Sequence, residues 1–165
     1  LRSRQSAPYS PDGALVLAPV LTIEIPGRHV VELEQLVLDL NGTLANRGEL
    51  VEGVAERIAR ISSTLTVRAL SADTFGALAA VAAELGAATT AIETGADKER
   101  IIRELGAERC VAIGNGANDR RMLAAAAIGI AVLGPEGAFG KAVSAADVVC
   151  GSIIEALDLL STRIR

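Results

Sequence analysis

The stretch Leu36-Val37-Leu38-Asp39-Leu40-Asn41-Gly42-Thr43 decides how this chain is read. An apolar run over 36–40 predicts a strand, and Asn-Gly after it predicts a turn. Taken alone, Asn-Gly in that setting is an ordinary hairpin signal. A carboxylate at a strand end can also act as a nucleophile toward a phosphate brought to it with a metal. Two residues on, where a proton donor would suit that reaction, stands Asn41. Its amide neither gives nor takes a catalytic proton at neutral pH.

Downstream, the pattern alternates. Apolar strands are predicted at 65–70, 88–92, 110–113, 128–133 and 148–149. Helices are predicted at 51–61, 75–85, 98–105, 119–127, 139–144 and 153–160, with Val51, Val54, Ile58 and Ile61 on one face of the first. Gly86 and Gly106 stop two of them. Such alternation implies a parallel sheet covered on both faces, with ligands beyond the carboxyl ends of the strands. Upstream, Leu21-Thr22-Ile23-Glu24-Ile25, the pair Pro26-Gly27 and Val30-Val31-Glu32-Leu33 predict a β-hairpin. Residues 1–13 read as a disordered tail. The expected organisation is that tail followed by one domain over 14–165, divided into a hairpin at 14–34 and an α/β core at 35–165.

Composition narrows the function. Half of the 165 residues are hydrophobic but only 2% are aromatic, so the core is aliphatic. The net charge of −4 and the scarcity of stacking aromatics argue against a nucleic-acid partner. No segment reaches the ~18 apolar residues needed to span a bilayer, so no membrane role is expected. Cys110 and Cys150 end apolar runs without metal-type spacing and read as buried free thiols, which leads us to expect a cytoplasmic protein. His29 beside the turn reads as exposed.

Polar residues collect at the strand ends. After Asp39 come Leu70-Ser71-Ala72-Asp73-Thr74, then Lys98 opening a helix, then Gly114-Asn115-Gly116-Ala117-Asn118-Asp119. A carboxylate, a hydroxyl with backbone N–H groups, a lysine and an acidic loop are the parts that phosphoryl transfer through an aspartyl phosphate requires. Each has a plainer reading: Ser71, or Asn118-Asp119, as a helix cap, and Lys98 as a solvated side chain. The chain has fourteen Arg and two Lys, which singles out Lys98 as a place where a compact amine is wanted. Lys141 reads as surface.

The order of the four motifs resembles the haloacid dehalogenase (HAD) superfamily, whose first motif is Asp-x-Asp-Gly-Thr and whose fourth is Gly-Asp-Gly-x-Asn-Asp. The stretch over residues 21–160 resembles most closely the small soluble proteins related to the phosphorylation domain of P-type ATPases. Receiver domains, which carry similar residues, place the acceptor on a later strand and the lysine last.

The resemblance implies a three-layer, Rossmann-like α/β fold with a parallel central sheet. Only a short loop, Ala45–Leu50, is available for an insertion after the first motif, so the fold is expected to be capless. It implies Asp39 as phosphate acceptor, the Asn41 carbonyl as a magnesium ligand, and Ser71 and the Ala72 N–H as phosphate holders. Lys98 would pair with Asp39 and the phosphate, with Asn118 also toward the phosphate. Asn115 and Asp119 would serve the metal. Asn41 and Asn115 stand where the superfamily carries Asp. The expected function is a slow Mg2+-dependent phosphohydrolase for a phosphorylated substrate, with a homo-oligomer covering the open site. The alternative is a binding or regulatory module that keeps the pocket without the turnover.

Overall fold

The computed structural model describes residues 20–24, 27, 29–72 and 77–161. The tail and the start of the hairpin segment lie outside the described residues, as do part of its turn and residues 73–76. Six strands form one parallel sheet, in the order β10 (Val148–Cys150), β9 (Ile128–Val132), β8 (Cys110–Gly114), β3 (Gln35–Asp39), β6 (Thr66–Ser71) and β7 (Ala88–Ala91). The strand ending in Asp39 therefore sits inside the sheet, between β8 and β6.

Both faces are covered, because strand side chains alternate. Leu36 and Leu38 of β3, with Val111 and Ile113 of β8, pack toward α1 (Val54–Ile61), α2 (Ala77–Leu85) and α6 (Ile153–Ser161). Val37, Cys110 and Ala112 pack the other way, against α3 (Gly95–Leu105), α4 (Arg120–Ala125) and α5 (Gly140–Ala145). Both thiols are buried and free, and burial pushes the Cys110 thiol up to about 12. His29 and Lys141 are exposed.

The hairpin is present. β1 (Leu21–Ile23) pairs antiparallel with β2 (Val31–Leu33), and Val31 and Leu33 are buried in the first core layer. β2 runs into the start of β3, so it is anchored at the opposite end of that strand from Asp39.

Two details differ from the sequence reading. Residues 45–50 form a miniature antiparallel hairpin, β4 (Ala45–Asn46) with β5 (Glu49–Leu50), rather than a loop. Its turn holds Arg47 and Gly48 at φ 52 and 85, the double left-handed turn that suits two-residue hairpins. Lys98 also does not open its helix. α3 begins at Gly95 with a reciprocal capping box between Thr94 and Asp97, which places Lys98 in the helix interior. Lys98 and Ile102, one turn apart, are the buried residues of α3.

Candidate active site

After Asp39 the backbone folds back on itself. The N–H groups of Leu44 and Ala45 both donate to the Leu40 carbonyl, and Gly42 N–H donates to Ala45. Gly42 makes this possible at φ 78, and a Cβ there would lie 3.1 Å from Asn115 Nδ2. The fold-back returns buried Thr43 to the strand end, where its hydroxyl lies 3.2 Å from Asp39 Oδ2 and 3.3 Å from Asn115 Oδ1. One hydroxyl proton serves one of these acceptors at a time. The turn expected at Asn41-Gly42 is therefore real, and its work is to deliver Thr43.

Lys98 reaches the same point from α3. Its ammonium, fully buried, donates to Asp39 Oδ1 and, at 2.6 Å, to Asp119 Oδ1. The second oxygen of Asp119 accepts the N–H groups of Asn115 and Gly116 at 2.9 and 2.7 Å. One carboxylate thus holds both the lysine and the loop. Gly114 leaves the room for it, since a Cβ there would come within 2.5 Å of Asp119 Cγ. Asn115 Nδ2 donates to the Gly137 carbonyl at 3.2 Å, which turns Asn115 Oδ1 toward Thr43.

Two carboxylates share one ammonium in a buried site. Burial first, and Asp119 second, raise the Asp39 carboxyl to about 6, while Lys98 and Thr43 work the other way. Burial alone would lower the Lys98 ammonium, but Asp39 and Asp119 outweigh it and the net direction is upward. Lys98 is a cation here.

The first and last motifs and the lysine therefore meet. Asp39, Thr43, Lys98, Asn115 and Asp119 form one hydrogen-bonded cluster. Asn41, exposed, donates through Nδ2 to Ser71 Oγ at 3.3 Å, and Ser71 is buried at the end of β6. Ala72 and Asn118 are exposed on the loops that follow β6 and β8. The Asn118 carbonyl packs against Gly95, where a Cβ would lie 2.6 Å from it. Asp119 occupies the cap position of α4 without a side-chain capping bond, because its oxygens are directed inward. Sequence reasoning gave Thr43 no role of its own. Its signal was its distance from Asp39, four residues across an Asn-Gly turn.

Asp39 Oδ2 and Asn115 Oδ1 both face the Thr43 hydroxyl. Hard oxygens of this kind suit magnesium, although only one of the two carries charge. Among the described residues, no group of three or more His, Cys, Asp or Glu is placed to bind a metal. A cation held here would meet one charged oxygen, from Asp39, and otherwise neutral ones.

No protein-family model matches the chain. An uncharacterized protein of Methanocaldococcus jannaschii is 45% identical over 67 residues, which span 38% of this chain and 72% of that protein. The 3-deoxy-D-manno-octulosonate 8-phosphate phosphatase of Moraxella catarrhalis, solved with magnesium, phosphate and a sugar acid, superposes with a TM-score of 0.65. It is 16% identical, over 78% of this chain and 85% of that one. A zinc-transporting PIB-type ATPase superposes with a TM-score of 0.60 at 27% identity. That match covers 68% of this chain and 19% of the ATPase. Among the described residues, no helix is long and apolar enough to cross a membrane. The chain belongs to the same family as the archaeal protein, and its fold is the HAD-like one.

Proposed function

We propose that the protein is a slow phosphohydrolase in which Asp39 accepts the phosphoryl group. The observation that carries this reading is the buried Asp39–Lys98–Asp119 cluster at the carboxyl ends of adjacent strands, with Thr43 on Asp39. An Asp39 oxygen attacks phosphorus, and the bond from phosphorus to the leaving oxygen breaks. Lys98 offsets the charge that gathers between carboxylate and phosphate. Ser71 Oγ, the Ala72 N–H and Asn118 take the remaining phosphate oxygens. Water then attacks the phosphorus of the acyl phosphate, releasing inorganic phosphate and restoring Asp39.

Two carboxylates and one ammonium leave the cluster negative before a phosphate arrives. A divalent cation held by Asp39, the Asn41 carbonyl and Asn115 would supply the charge neutralisation that the residues lack. Asp119 is read as the residue that positions Lys98 and the loop, because both of its oxygens are engaged.

Asn41 sets the rate. General acid–base help contributes about 10²–10⁴-fold, and an amide supplies none. Departing groups that need no proton, such as aryl oxides, are therefore favoured over alkoxides. A second reading follows from Asn41 and Asn115 together: a module that binds phosphate and cation in the same pocket without turnover. Hydrolysis of an aryl phosphate with magnesium separates the two. Activity that is lost in Asp39→Asn and raised in Asn41→Asp supports the enzyme. Activity equal in the unmodified protein and Asp39→Asn removes it.

A further inference from the structure

α3, α4 and α5 present a groove on the outer surface of the domain that is independent of the Asp39 cluster. It encloses about 460 Å³. Arg103, Arg120, Arg121 and Lys141 line it, and among the described residues a single carboxylate, Glu99, opposes them. All four cations are exposed, in a chain whose net charge is −4. Glu99 is already engaged, 2.8 Å from Arg103 and 3.8 Å from Arg121. Its one charge answers one of the four. Arg120 and Lys141 have no ion-pair partner within 4.0 Å among the described residues. Ala124, Ala125, Ala145 and Ser144 complete the lining among the described residues.

Four cations at the rim of one small groove repel one another unless an anion joins them. Three are arginines, whose planar forks meet phosphate oxygens two at a time. Among the described residues no aromatic side chain lines the groove, so none of them offers a nucleobase stacking there. The small volume suits a compact, multiply charged group better than a long acidic chain. We infer that this groove binds a di- or triphosphate group and reads the phosphates rather than any nucleoside attached to them. The inference does not rest on the phosphohydrolase reading, since it needs neither Asp39 nor a metal.

The test is calorimetric titration of the full chain in EDTA, with inorganic tripolyphosphate, ATP and adenosine as separate probes. Tripolyphosphate and ATP should bind with dissociation constants within about threefold of each other, and adenosine should not bind. The double variant Arg120→Gln/Lys141→Gln should weaken both phosphates at least about tenfold, and Glu99→Gln should tighten them by freeing Arg103 and Arg121. Arg60→Gln, which removes one positive charge on α1, should leave both unchanged. Circular dichroism of each variant checks that it is folded. No saturable tripolyphosphate binding, binding of adenosine, or an Arg60→Gln effect as large as that of the double variant would each overturn the inference.

Discussion

Lys98 Nζ lies 2.6 Å from Asp119 Oδ1, and neither side chain is reached by solvent. The same ammonium serves Asp39. Replacing Lys98 by Met would leave two carboxylates buried with no cation between them. Removing one partner of a buried ionic cluster costs about 3–5 kcal/mol. Urea denaturation of Lys98→Met should show a loss of that order. Adding Asp39→Asn should recover part of it by removing one of the stranded charges. Additive losses in the double variant would show that the two side chains are not coupled in this way.

Asp39 gives stability an unusual pH dependence in metal-free buffer. Its folded-state value of about 6 lies above the ordinary 3.8. Between those values the folded chain holds a proton that the unfolded chain has released, so stability falls as pH rises through that window. Above about pH 6 the full penalty stands, up to roughly 3 kcal/mol. Asp39→Asn should therefore melt higher than the unmodified protein at pH 7.5, and the gap should close toward pH 4. Thermal melts across that range in EDTA measure it.

The leaving group should matter more here than in an enzyme with an acid at position 41. Aryl phosphates should be turned over far faster than alkyl phosphates. Asn41→Asp should raise alkyl phosphate turnover by about 10- to 100-fold, a fraction of what acid–base help can supply. The gain with an aryl phosphate should be smaller. Steady-state rates for a matched pair of esters check this, and an equal gain for both would remove Asn41 as the limiting residue.

Gly114 is required by the side chain it faces. A Cβ would sit 2.5 Å from Asp119 Cγ, and Asp119 is held from both sides. Gly114→Ala should displace Asp119, lower activity and destabilise the fold by about 1–3 kcal/mol. Gly140, where a Cβ would meet nothing within 4 Å, is the control. Gly140→Ala should be neutral or stabilising by up to about 1 kcal/mol, as expected within a helix.

The sheet and its helices were legible in the sequence because the signals are long and periodic. Leu36 and Leu38 face one helical layer and Val37 the other, as alternation requires. The convergence of Asp39 with Lys98 and Asp119 could be expected from motif order, since strand ends on one edge of a parallel sheet share one rim. Shorter features were not legible. The hairpin at residues 45–50 has only two residues per strand, too few for a period to show. The start of α3 was hidden because its capping box, Thr94 to Asp97, lies before the helical stretch that includes Lys98. Thr43 was overlooked because the fold-back that returns its hydroxyl to Asp39 is made by backbone bonds from residues 42, 44 and 45. The division of labour within the last motif, where Asp119 is held by Lys98 and two amides, depends on distances that no spacing encodes.

Phosphorylation of Asp39 is tested by trapping the phosphoenzyme. The protein is mixed with magnesium and a labelled aryl phosphate, quenched in acid, digested and analysed by mass spectrometry. Asn41 should slow the water step enough for the phosphoenzyme to accumulate. One phosphoryl group is expected on the peptide containing Asp39, released by hydroxylamine and absent in Asp39→Asn. Release of phosphate from the ester with no label on that peptide, or with label retained in Asp39→Asn, would contradict it.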